Sequence, residues 1–274
     1  MSKAFAALQR LLPQHGLTRS VACLARSETR WLKDACIKGF ARTYKVDLSE
    51  AVHSDPTDYG TFNEFFTRAL KPGARPMPDQ PLAIACPADG TISQSGEITH
   101  NTLLQAKGTR YSLDSLVHDL AAGFDGGSFV TVYLAPHNYH RVHLPSGGTL
   151  TATRSIPGSL FSVNAKTEAT VADLFCRNER LACRFHTQSG DMLVVFIGAL
   201  IVGRIETVWP GPNSRYRRAE TRPYDLTFKR GDEIGRFLLG STVIVCLPPR
   251  RAELNRLTPG QTVRMGESIG YWRD

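Results

Sequence analysis

The chain has 274 residues, with 33 Lys+Arg against 25 Asp+Glu and a formal net charge of +8. Its 42% hydrophobic content supplies a core and argues against a disordered chain. No apolar run reaches the roughly 18 residues of a membrane-spanning helix, the longest being 192–203 (MLVVFIGALIVG), which reads as buried strand.

The opening residues do not read as a secretory signal, because arginines interrupt them and no clean apolar segment precedes a small-residue cleavage site. Residues 1–45 hold nine basic and two acidic side chains, a net of +7. Nearly all the excess charge lies there, which argues against nucleic-acid binding by the rest of the chain. Phe5, Leu8, Leu11 and Leu12 form one apolar stripe; Trp31, Leu32, Ala35, Cys36, Gly39 and Phe40 form another. Two basic amphipathic helices are predicted, broken apart at Pro13 and Gly16, suited to an anionic membrane surface. We take 1–55 as this membrane-contact region.

A catalytic β-rich region is predicted over 56–274. It opens on turns and a short helix over 62–70, capped by Thr61 with Glu64 three residues on. Helices are predicted over 112–122 and 168–176. Strands are predicted over 128–134, 192–197, 199–205 and 242–247, with Gly/Pro turns between. Helices first and strands later predict an α+β fold with a mainly antiparallel β body. One internal repeat stands out: 229–237 (KRGDEIGRF) and 264–272 (RMGESIGYW). These hairpins resemble those of lipoyl- and biotinyl-carrier barrels. Neither tip carries the Met-Lys-Met a carrier needs, so the repeat reads as architecture.

Three features carry chemistry. The run His137-Asn-Tyr-His140-Arg-Val-His143 concentrates histidines, but Pro136 and the lack of nearby acidic or Cys ligands argue against a metal. Asp89 lies in Pro87-Ala88-Asp89-Gly90, either a hairpin turn or an acid held to orient a histidine. Ser241 lies in Leu239-Gly240-Ser241-Thr242, outside the G-x-S-x-G elbow of α/β hydrolases. On residue type alone, a Ser-His-Asp hydrolase acting on an external substrate stays open.

Taken together, the blocks 62–68 (FNEFFTR), 87–93 (PADGTIS), 104–108 (LQAKG), 133–145 (YLAPHNYHRVHLP), 157–164 (PGSLFSVN), 178–180 (NER), 198–209 (GALIVGRIETVW) and 235–242 (GRFLLGST) resemble the bacterial phosphatidylserine decarboxylase family. Any one is weak; eight in register are specific. The resemblance implies a lyase that makes its own cofactor by cutting its chain between Gly240 and Ser241. A large chain, 1–240, and a small chain, 241–274, stay associated, and Ser241 becomes a covalent pyruvoyl group. Asp89, His143 and Ser241 are implied as the self-cleavage triad. The pyruvoyl group is implied to form a Schiff base with phosphatidylserine, release CO2 and give phosphatidylethanolamine. His140 is the candidate that returns a proton to Cα, and Ser162 a candidate head-group contact. The implied location is peripheral, on the cytoplasmic face of the cell membrane. Oligomeric state is left open. His137 stands where many members carry Arg or Lys and receives no role; 210–229 shows no placeable pattern.

Overall fold

The computed structural model describes residues 14–106, 108–199, 205–211, 216–238 and 241–273. The apolar stripe on Phe5–Leu12 and the bond at Gly240 lie outside them. The described residues open on two helices, α1 (Gln14–Ala25) and α2 (Arg30–Tyr44). Gly16, expected to help break the two apolar stripes apart, instead sits in the first turn of α1, where a glycine weakens a helix without ending it. The α2 helix packs on the body through the fully buried Ile37. Its Phe40 ring meets Phe62, Phe65 and Phe66 edge-on, with centroids 5.2, 6.1 and 5.8 Å away. On the same helix Trp31 is 73% exposed.

The third helix, α3 (Phe62–Phe66), begins as predicted: Thr61 Oγ1 accepts from the Glu64 amide, and Glu64 Oε2 accepts from the Gly60 amide. It ends four residues early because tertiary pairing claims the chain. Residues 69–71 run antiparallel to 50–52, with Ala51 bridged to Leu70, Val52 N–H bonded to Ala69 O and Lys71 N–H bonded to Glu50 O.

The β body follows, with β1 (Ala83–Ala85), β2 (Gly90–Glu97), β3 (Thr102–Ala106) and β4 (Thr109–Ser112). The helix predicted over 112–122 is a short α4 (Leu113–Val117) with a 3-10 turn (His118–Leu120). Next come β5 (Ser128–Leu134), β6 (Arg141–His143) and β7 (Gly148–Ile156). The helix predicted over 168–176 is two single turns, α5 (Ala165–Glu168) and α6 (Leu174–Arg177). Buried Gln105 replaces the missing helical bonds: its Nε2 donates to the carbonyls of Glu168 and Val171, and its Oε1 accepts from Leu174 N–H. The remaining strands are β8 (Arg180–Thr187), β9 (Asp191–Ile197), β10 (Ile205–Thr207), β11 (Glu220–Phe228), β12 (Glu233–Phe237), β13 (Ser241–Leu247), β14 (Ala252–Leu254), β15 (Thr262–Val263) and β16 (Ser268–Trp272). Of the strand predicted over 199–205, residues 200–204 lie outside the described residues, and β10 starts at its end.

An antiparallel sheet in the order β11-β7-β8-β9-β13-β5-β2-β15 forms the backbone of the fold. β13 runs through its middle, with Val243 opposite Phe196 on one side and Val132 on the other. Every residue of β13 is buried, consistent with its continuous β-branched run. The architecture is thus α+β with N-terminal helices, as expected.

The sequence repeat marks two matching structural units. β6 pairs with β12 and β12 with β10; β1 pairs with β16 and β16 with β14. Gly231 N–H bonds Leu144 O while Leu144 N–H bonds Asp232 O; in the other copy Gly266 N–H bonds Cys86 O while Cys86 N–H bonds Glu267 O. Both glycines take the left-handed region, at φ +85° and +90°, and a Cβ on either would crowd Met77, at 2.7 and 2.8 Å. The copies meet where His143 N–H bonds Pro87 O and Ala85 N–H bonds Pro145 O. That junction brings the Asp89 loop beside the His143 strand.

Candidate active site

Asp89 precedes β2, and its neighbour Gly90 makes no hairpin turn. Gly90 is there for close approach: a Cβ would stand 2.3 Å from the Tyr133 carbonyl oxygen and 2.8 Å from Val132 Cγ1. The Asp89 carboxylate is buried and accepts three hydrogen bonds. Arg75 Nε and Nη2 donate at 2.8 and 2.5 Å, and the Met265 amide at 2.9 Å. Arg75 also pairs with Glu50 at 2.9 Å, and the two acids raise its pKa. The Met265 contact comes from the turn of the second repeat unit.

His143 closes β6. Its Nδ1 lies 2.7 Å from Gly231 O and its Nε2 2.9 Å from the Tyr139 hydroxyl. A carbonyl can only accept, so the proton sits on Nδ1 and Nε2 accepts from the Tyr139 O–H. Burial pushes the His143 pKa down, while the Gly231 bond and the fields of Glu233 and Asp89 push it up; burial prevails. Gly231 is the turn of the first repeat unit, so each unit supplies one backbone group to one of these two side chains.

His140 is fully buried. Its Nδ1 donates to Asn138 O at 2.8 Å, and the Phe66 ring lies 4.0 Å away. Burial pushes its pKa down to about 3, so the ring is neutral near pH 7. Its Nε2 then carries a free lone pair, buried with no hydrogen-bond partner among the described residues. Ser241 opens β13, fully buried, and its Oγ likewise has no partner among them. Ser241 pairs in register with Leu134, where the histidine loop leaves β5, and Phe237 N–H bonds His140 O, where that loop returns. The loop 135–140 is therefore bracketed by the two strands that flank the 238–240 segment.

Among the described residues no hydrogen bond joins Asp89 to His143, or either of them to Ser241. Ser162 is half-buried in a loop pinned by Asn178, whose Nδ2 donates to Phe161 O and Gly198 O at 2.8 Å and whose Oδ1 accepts from Phe161 N–H at 3.1 Å. His137 is exposed, apart in environment from the two buried histidines. Sequence reasoning passed over Arg75 and Tyr139. Arg75 sits in a Gly/Pro-rich turn region that shows no periodicity, and Tyr139 was read as part of the histidine run. Arg68, whose Nη2 donates to His137 O and Asn138 O at 2.9 and 3.2 Å, carried one signal, its place in the block 62–68.

A model of the family described as phosphatidylserine decarboxylase matches residues 62–271, and one described as PSD matches residues 4–45. A phosphatidylserine decarboxylase proenzyme from Methylococcus capsulatus is 50% identical over 280 residues, covering 99% of this chain and 97% of that protein. Proteins of the same name from Ectopseudomonas mendocina and Pseudomonas aeruginosa are each 48% identical. They cover 98% and 97% of this chain, and 98% and 96% of their own lengths.

Proposed function

This chain belongs to the phosphatidylserine decarboxylase family, and from that premise we propose that it is a self-processing, pyruvoyl-dependent carboxy-lyase that converts phosphatidylserine to phosphatidylethanolamine. The observation that carries the reading is Ser241 Oγ, buried without a partner among the described residues at the head of a central strand. A hydroxyl left so costs about 1–3 kcal/mol in stability, which suits a group kept for reaction. The relatives' designation as proenzymes supports cleavage of a precursor.

In processing, Ser241 Oγ attacks the carbonyl of Gly240 and forms an ester as the peptide bond between them breaks, the freed Ser241 amine taking up the proton that left Oγ. Nucleophile and target are chain neighbours, which supplies the proximity that other enzymes obtain by binding a substrate. His143 takes the hydroxyl proton on Nε2, the nitrogen that now accepts from Tyr139. Tyr139 must yield that position to Ser241. Asp89 acts on His143 through its field, favouring the imidazolium as it forms. The 34-residue small chain, 241–274, stays with the large chain because its strands pair with β1, β2, β5 and β9.

The site fits the implied group. Elimination of the Gly240 carboxylate from Ser241 Cβ, then hydrolysis of the resulting imine with loss of ammonia, would make Ser241 Cα a keto carbon and its Cβ a methyl, on the same buried residue opposite Leu134 and next to the His140 loop. When formed, the pyruvoyl group supplies the electron sink that protein side chains lack. His140 handles the proton. Its Nε2 would relay the proton that returns to the carbon that loses CO2, as a transient carrier, since burial disfavours a charged ring. Ser162 contacts the head group from the loop that Asn178 holds.

Access to a diacyl lipid calls for contact with the bilayer, because each buried CH2 contributes about 0.8 kcal/mol. The basic N-terminal region and the exposed Trp31, Leu24 and Tyr44 support a peripheral seat on the cytoplasmic face. No helix among the described residues is long and apolar enough to cross a membrane. The paired repeat hairpins serve as carrier-type scaffolding around Asp89 and His143 rather than as a cofactor arm. The test is denaturing mass spectrometry with CO2 release from phosphatidylserine vesicles. Purified protein should give two chains, the small one blocked to Edman degradation, and Ser241→Ala should give one uncut, inactive chain of 30.2 kDa. An active, uncut protein would refute the assignment.

A further inference from the structure

The His140 loop is held from outside by three consecutive residues at the exit of α3. The Phe66 ring packs on the His140 ring, centroids 4.0 Å apart and planes tilted by 44°. The Thr67 carbonyl accepts from Arg141 Nε at 2.8 Å. Arg68 Nη2 donates to the carbonyls of His137 and Asn138 at 2.9 and 3.2 Å. The Asn138 carbonyl is also the acceptor for His140 Nδ1–H. One oxygen, with two lone pairs, thus receives both the guanidinium and the imidazole.

Arg68 is only 4% exposed, and its Nε and Nη1 are buried without hydrogen-bond partners among the described residues. Methionine would fill much of that volume without two idle donors. Packing therefore does not explain the arginine; the one nitrogen that is engaged does. We propose that Arg68 is a positioning residue: by clamping the His137 and Asn138 carbonyls it fixes His140 in the tautomer whose lone pair lies on Nε2. With both carbonyls held, neither peptide can flip. The other tautomer would set the Nδ1 lone pair against the Asn138 oxygen. Arg68 and His137 are the titratable groups whose fields act on His140, and both oppose a charge on the ring, in the same direction as its burial.

The purpose of the clamp rests on the reading of His140 as proton carrier; its existence does not. Ring-15N histidine NMR at pH 7 on the uncut Ser241→Ala chain tests it, with the His140→Gln variant identifying the His140 signals. In the parent, Nδ1 should be protonated and Nε2 pyridine-like. With Arg68→Met the two signals should move toward each other as the tautomers mix, and Arg68→Lys should restore part of the separation. Should Arg68→Met not fold, Arg68→Gln, which leaves a donor in the buried site, carries the same measurement. In cleaved enzyme with Ser241 intact, kcat of the Arg68→Met variant should fall about 100-fold with KM within about twofold of the parent, the penalty of a misplaced catalytic group. An unchanged tautomer overturns the clamp whatever happens to kcat. Mixed tautomers with unchanged kcat leave the clamp standing and overturn the proton-carrier reading of His140.

Discussion

Replacing Arg75 by methionine removes two of the three hydrogen bonds to Asp89 and its one guanidinium. The side chains of Arg75 and Asp89 are 7% and 9% exposed, so water cannot take the cation's place. Removing one partner from a buried pair leaves an uncompensated charge and destabilises by about 3–5 kcal/mol. Glu50, 36% exposed, adds little because solvent reaches it. For a chain of this size that corresponds to a fall of roughly 6–20 °C in Tm. The assay is urea and thermal unfolding of the uncut Ser241→Ala chain, which keeps the measurement on one polypeptide. Adding Asp89→Asn to Arg75→Met removes the stranded charge, so the double variant should be more stable than Arg75→Met alone. A loss below about 1 kcal/mol for Arg75→Met, or no recovery in the double variant, would refute the account of Arg75 as the partner that makes a buried Asp89 tolerable.

Tyr139→Phe frees His143 Nε2 from a hydrogen bond of the usual net strength of about 0.5–1.5 kcal/mol, so self-cleavage should run about 2- to 10-fold faster by time-resolved intact mass; slower cleavage would mean that the hydroxyl takes part in the step. Gly90→Ala forces a methyl against the Tyr133 carbonyl, which cannot move aside, and should cost about 1–3 kcal/mol in urea unfolding while slowing cleavage through the displaced Asp89. His140 gives a pH dependence of stability with a definite sign. Its folded pKa of about 3 lies below the ordinary 6.5, so below pH 6.5 the unfolded chain takes up a proton that the folded chain refuses, and stability falls with falling pH. Between pH 7 and 5 the Ser241→Ala chain should lose about 2 kcal/mol more than the same chain with His140→Gln, and equal losses would show that the ring titrates normally in the fold.

What was legible in the sequence was local. The β-branched runs that became β5 and β13 announce buried strands: all seven side chains of β13 and five of seven in β5 are buried. The repeat at 229–237 and 264–272 was visible, but its meaning lay in cross-chain bonds to Leu144 and Cys86 that no local pattern encodes. The helix expected over 168–176 is interrupted by Gln105, a side chain more than sixty positions earlier. The early end of α3 is set by pairing with residues 50–52. The family resemblance pointed to Asp89, His140, His143 and Ser241. It could not say that Asp89 is held by Arg75, or that two carbonyls, of Gly231 and Asn138, decide which nitrogen of each histidine bears the proton. The first is a side-chain pair fourteen positions apart; the histidine protons depend on backbone oxygens, which are the same for every residue type.

The position of β13 has a consequence for the lifetime of the molecule. The proposed cut just before it would create two chain ends but free no strand, since β13 stays wedged between β5 and β9 while β15 and β16 remain stitched to β2 and β1. Fragments from different molecules would then not trade places without global unfolding. On that reading each copy is married to the keto end it made for itself, and chemical damage to that end would retire the whole protein, because no spare piece can be slotted in.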